Sequence, residues 1–254
     1  MNKQVKKIAG WSLAGVAITT LAGLVVTGRE IGWGPFRWLF KGFGEEVASI
    51  EKKYPVSEHQ HEILFYGASN FRLWTEMEQD LKELKVQNHG FGGSTDKLLM
   101  QYADRLLYPY NPDIVVFQTG SNDYVAMSGT DAEKIATCMA YKRQMFETFH
   151  EALPEAKFVI MSGLLLPGRS QYTALTQTVN KELQALCEEQ DYMYFADASD
   201  MTYDGASFAK ELFVADGIHL NHDGQLKWRD EYILPRLQQL IETFSLDHLH
   251  HQAE

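Results

Sequence analysis

Apolar residues follow two alternating rhythms along this chain: short unbroken runs, and longer stretches in which they return every third or fourth position. The runs at 62–66, 113–118, 157–162 and 192–196, with a shorter one near 85–88, predict strands buried on both faces. Helical spacing fills the intervals. It covers 71–84 (Leu73, Trp74, Met77, Leu81, Leu84), 95–107 (Leu98, Leu99, Tyr102, Leu106), 132–153, 173–190 (Leu175, Val179, Leu183, Leu186) and 224–244, and a short helix is expected at 45–54. Strands alternating with helices predict an α/β fold whose mostly parallel sheet is covered on both faces. In such sheets ligands sit beyond the carboxyl ends of the strands.

The first 30 residues break this pattern. Lys3, Lys6 and Lys7 precede an uncharged stretch from Ile8 to Gly28, about the length a helix needs to cross a bilayer. We expect residues 1–30 to be a signal anchor or a signal peptide. The anchor is favoured because the stretch is long for a secretory signal and ends in Val25-Val26-Thr27-Gly28 without a small-x-small cleavage site. Residues 31–60, with Trp33, Phe36, Trp38, Phe40 and Phe43, read as a juxtamembrane aromatic segment and linker. Residues 61–245 form the expected folded domain, and 246–254 a frayed tail. The leading lysines favour an extracytoplasmic domain tethered to the cell membrane, with secretion after cleavage as the alternative.

With 254 residues, 45% of them apolar, the chain can bury one substantial core. Its formal net charge of -11 disfavours polyanion binding, and the body of the chain lacks a compact basic, aromatic-interleaved tract to bind nucleic acid. Cys138 and Cys187 form no metal knuckle or redox motif and read as buried small hydrophobes.

Four groups of reactive residues fall just after apolar runs. Gly67-Ala68-Ser69-Asn70 follows the first strand, and Gly120-Ser121-Asn122-Asp123 the strand at 113–118. Asp216-Gly217-Ile218-His219 follows Leu212-Phe213-Val214, and Gly90-Phe91-Gly92-Gly93-Ser94-Thr95 lies between the first two groups. Acyl transfer needs a nucleophile, a base, a group that orients the base, and donors for the oxyanion. Ser69, His219, Asp216, and the pair Gly93 and Asn122 are candidates for these roles. Singly each has an ordinary reading: helix cap, surface pair, turn glycine or, with His222 and Asp223, a partial metal site.

In this order the four groups resemble the blocks of the SGNH (GDSL-like) hydrolase family across residues 60–240. The resemblance implies a flavodoxin-like three-layer α/β/α sandwich. It also implies Ser69 as nucleophile, Asp216 and His219 as the other triad members, and an oxyanion hole from Ser69, Gly93 and Asn122, with Gly92 second to Gly93. No metal or organic cofactor is implied. The family aspartate of the first block is replaced by Ala68, which puts in question the hydrogen bonding that shapes that loop. The expected activity is hydrolysis of carboxylic esters, on an acetylated glycan or a lipid-like ester. An acyltransferase on the same scaffold and a non-catalytic surface carbohydrate-binding protein are the alternatives.

Overall fold

The computed structural model describes residues 43–251. The expected membrane segment, residues 1–30, lies outside the described residues, among which no helix is long and apolar enough to cross a membrane. A compact unit begins at Glu46. In chain order its elements are α1 (Gly44–Lys53), β1 (Ile63–Gly67), α2 (Ser69–Arg72), α3 (Met77–Asp80), β2 (Val86–Asn88), α4 (Asp96–Leu106) and β3 (Ile114–Gln118). They continue with α5 (Ser121–Ala126), α6 (Asp131–Ala152), β4 (Lys157–Met161), α7 (Thr173–Glu188), β5 (Met193–Ala196), α8 (Ser199–Thr202), α9 (His222–Trp228) and α10 (Leu234–Phe244).

The five strands form a wholly parallel sheet in the order β2-β1-β3-β4-β5. Every residue of β1 and β3 is buried, as expected for strands covered on both sides. Alternate residues serve different layers. Ile63, Phe65, Ile114, Val116 and Val159 join the core formed with Trp74, Trp228, Leu237 and Ile241 from the α2, α9 and α10 side. On the other face Tyr66 and Phe117 pack against Phe149 of α6. The result is a three-layer α/β/α sandwich. The order reverses between β1 and β3, and the loops after these two strands, which carry Ser69 and Asn122, leave the sheet at that switch point, where such folds bind ligands.

Two helices differ from their expected form, and one apolar run stays outside the sheet. The helix expected over 71–84 is split into α2 and α3, because the Asn88 side-chain amide donates to the carbonyls of Phe71 (2.7 Å) and Trp74 (3.3 Å), which an unbroken helix would use itself. The final helix contains a π-turn at Arg229–Ile233, next to Pro235, whose ring nitrogen has no hydrogen to give to the preceding turn. Leu212-Phe213-Val214 adds no strand to the sheet. It folds against the residues that follow, with Val214 N-H donating to the His219 carbonyl (2.9 Å) and Asn221 N-H to that of Leu212 (2.9 Å).

Both ends of the expected 61–245 domain extend further. Upstream, Val47 and Tyr54 are buried, and the Tyr110 hydroxyl donates to the Tyr54 carbonyl at 2.9 Å. Downstream, residues 246–251 are docked where fraying was expected. Leu249 is fully buried, its carbonyl accepts from Lys85 N-H (2.8 Å), and His251 N-H donates to the Glu83 carbonyl (3.1 Å).

Candidate active site

Ser69 is the first residue of α2, two positions after β1 ends, and is only partly exposed. Its loop keeps its shape without an acid at position 68. Ala68 N-H donates to the Gln118 carbonyl (3.2 Å), and the Gly67 carbonyl accepts from Phe91 N-H (3.1 Å) and the Ser94 hydroxyl (3.0 Å). The buried Asn70 ties this loop to the histidine block through Oδ1, which accepts from Leu220 N-H at 3.1 Å.

The histidine comes from 150 residues away. The fold-back at Leu212–Asn221 closes a tight turn around Asp216, and Asn221 caps α9 by accepting from Gly224 N-H (2.9 Å). Within that turn Asp216 Oδ1 accepts from the N-H groups of Ile218 (2.7 Å) and His219 (3.0 Å), which leaves Oδ2 facing His219 Nδ1 at 2.7 Å. The other ring nitrogen, Nε2, lies 2.9 Å from Ser69 Oγ. Partial burial opposes the charge on Asp216, but these hydrogen bonds outweigh it and hold the carboxyl below its ordinary pKa. Asp216 thus stays ionised, and with Nδ1 protonated the unprotonated Nε2 faces the serine hydroxyl.

The second and third blocks meet beside Ser69. Gly93 has φ +74°, in the left-handed region that favours glycine, and a Cβ there would meet nothing within 4 Å. Among the described residues neither Ser69 N-H nor Gly93 N-H has a hydrogen-bond partner. Gly92, the second choice, is otherwise engaged: its N-H donates to Glu46 Oε2 at 2.8 Å. The Asn122 amide donates through Nδ2 to the Ser94 carbonyl (3.0 Å), keeping its second N-H, while Oδ1 accepts from Arg169 at 3.2 Å. Hydrogen bonds thus join Asp216, His219 and Ser69 in one line, and link Asn122 through Ser94, the neighbour of Gly93, to the Gly67 carbonyl of the serine loop.

A family model for the GDSL-like lipase/acylhydrolase family matches residues 63–227. The chain belongs to that family. No curated protein matches it. Among solved structures, it is similar to a Streptococcus pneumoniae protein named for platelet activating factor, with 18% identity over 85% of this chain and 95% of that one, TM-score 0.62. An acetyl-xylooligosaccharide esterase from Geobacillus shows 15% identity over 70% of this chain and 92% of that one, TM-score 0.52. The catalytic domain of Streptococcus pneumoniae peptidoglycan O-acetyltransferase A shows 15% identity over 71% and 94%, TM-score 0.50. At such identities the likeness establishes a shared fold.

Below the crevice this acylhydrolase buries a charged network absent from the sequence reading. Lys142 Nζ, on α6, donates to both oxygens of Asp96 (3.1 and 3.0 Å) and to Thr119 Oγ1 (2.5 Å), and Asp123 Oδ1 accepts from Asp96 N-H (3.0 Å). Burial alone would weaken the ammonium, but the charges of Asp96 and then Asp123 outweigh it and raise the Lys142 pKa. One carboxylate neutralises one ammonium, so Asp123 is surplus. Burial, reinforced by the Asp96 charge, pushes its pKa up to about 7. Lys142 could have been found by periodicity, since it shares a helix face with Cys138, Met145, Phe146 and Phe149.

Cys138 and Cys187 are free and buried, and burial raises their pKa values to about 11 and about 12, as befits inert thiols. His222 lies 3.3 Å from Glu76 and 3.9 Å from Asp80. These three side chains are exposed or partly exposed, and such clusters are common on surfaces that bind no ion.

Proposed function

We propose that this acylhydrolase cleaves carboxylic esters through an acyl-enzyme on Ser69, at the outer face of the membrane to which residues 1–30 tether it. The observation that carries the chemistry is the continuous chain from Asp216 Oδ2 through His219 to Ser69 Oγ, with contacts of 2.7 and 2.9 Å. His219 Nε2 takes the hydroxyl proton as Oγ attacks the acyl carbonyl, and Asp216 steadies the imidazolium that forms. The carbonyl oxygen becomes an oxyanion facing the Ser69 and Gly93 N-H groups and the spare N-H of Asn122. One such donor is worth about 10²–10³ in rate. Collapse passes the proton to the leaving alcohol, and a water activated by the same histidine releases the acid and restores Ser69. The acetyl chemistry of the esterase and transferase that share the fold supports an ester of small acyl groups on a glycan. For location, the support is the lysine-flanked uncharged stretch from Ile8 to Gly28.

One experiment tests both parts. Cells expressing the chain are treated with a membrane-impermeant fluorophosphonate, then separated into membrane and medium. The expected result is a labelled band in the membrane fraction that Ser69→Ala removes without altering the circular dichroism of the purified protein. A label that survives in Ser69→Ala overturns the nucleophile; a label confined to the medium overturns the tether.

A further inference from the structure

The segment between β4 and α7 carries a residue that no sequence motif marks. Arg169 stands at a kink within the 3-10 segment Pro167–Tyr172, with non-helical angles (φ -134°, ψ 34°), and its Nη1 donates to Ser121 Oγ (2.7 Å) and Asn122 Oδ1 (3.2 Å). The backbone beside it is locked to the turn of the triad acid. Gly168 N-H donates to the Gly217 carbonyl (2.8 Å), and a Cβ on Gly168 would lie 2.3 Å from the Asp216 carbonyl oxygen. One short segment therefore docks on the acid-histidine turn with its backbone and on the asparagine block with its side chain.

We propose that Arg169 is the positioning residue of the oxyanion site, fixing the Asn122 amide so that its spare N-H, and never its oxygen, faces the reacting carbonyl. The inference rests on the ester-hydrolase reading. An amide can present either end to a pocket, and an oxygen there would repel the developing anion. Here the choice is forced at both ends. A guanidinium has only donors and so must face Oδ1; the Ser94 carbonyl has only lone pairs and so must face Nδ2. The cation also polarises the amide it grips, strengthening the donor at the far end.

The test is a double-mutant cycle on an aryl acetate with Arg169→Met, Arg169→Lys, Asn122→Ala and the double variant Arg169→Met/Asn122→Ala. Arg169→Met is expected to lower kcat about 10- to 100-fold with KM nearly unchanged, part of the value of one oxyanion donor. Arg169→Lys should recover part of that loss. In the Asn122→Ala background Arg169→Met should cost nothing more, since residues that act through one another are not additive. Losses that multiply, or a raised KM with kcat intact, would overturn the proposal and make Arg169 an independent contact. A second readout does not depend on turnover: the ¹⁵N side-chain amide resonances of Asn122, identified by their disappearance in Asn122→Asp. They should exchange slowly with water in the wild type and faster in Arg169→Met at equal thermal stability. Unchanged exchange sinks the proposal. If the wild type hydrolyses no ester, the hydrolase reading fails separately, and the resonances still report whether Arg169 holds Asn122.

Discussion

At the scale of single residues, the site divides by how far its interactions reach along the chain. Ser69, Gly93, Asn122, Asp216 and His219 were candidates in the sequence because the four blocks that hold them stand in the order of a known family, which the resemblance turns into expected roles. Asn70 and Arg169 were not, because what they do is bond to residues 150 and 47 positions away. The resemblance ranked Gly93 ahead of Gly92, and the fold supplies a physical reason, since Glu46 takes the Gly92 N-H. Gly93 yields a direct prediction. Open space surrounds its missing Cβ, so Gly93→Ala should suffer from backbone geometry alone, about 1–2 kcal/mol for a left-handed residue. Urea unfolding should show that loss with turnover within about tenfold of wild type, since the N-H donor is retained. A collapse of kcat at full stability would mean that the methyl group enters the substrate's space.

At the scale of elements, the buried charges join α4, α5 and α6 beneath the crevice. The Asp123 carboxyl is raised from an ordinary 3.8 to about 7, so its effect on stability has a definite sign. Below about pH 4 it is protonated in folded and unfolded chains alike and costs nothing. Between about 4 and 7 the folded chain keeps a proton that the unfolded chain has lost, so this group's contribution declines as pH rises. Asp123→Asn removes the titration and keeps an oxygen to accept from Asp96 N-H. Its melting temperature relative to wild type should therefore climb from pH 4 to pH 7 and level off above. A difference that is flat with pH would show that Asp123 titrates normally. The two misread helices have separate causes: the Asn88 amide competes for the carbonyls of Phe71 and Trp74, and Pro235 withholds a hydrogen from the preceding turn.

At the scale of the whole molecule, the C-terminal tail lies antiparallel along the residues that lead into edge strand β2, where Leu84 and His250 pair. An uncovered sheet edge invites pairing with other chains, and this contact shields part of it. Leu249→Ala should cost about 2–5 kcal/mol, as for a buried leucine, in urea unfolding followed by fluorescence. A loss below about 0.5 kcal/mol is what an exposed, frayed tail would give. The sequence by itself determined the alternation of strand and helix, the parallel sheet and the identity of the reactive blocks. Hydrophobic period and block chemistry are local properties, written within a few residues of where they act. Tertiary structure alone decided which glycine keeps a free N-H, which cation grips the Asn122 amide, that a lysine could be buried against Asp96, and that Leu249 would be docked. Each depends on groups far apart in sequence meeting at hydrogen-bond distance, and that meeting is set by how the sheet and its covering helices pack.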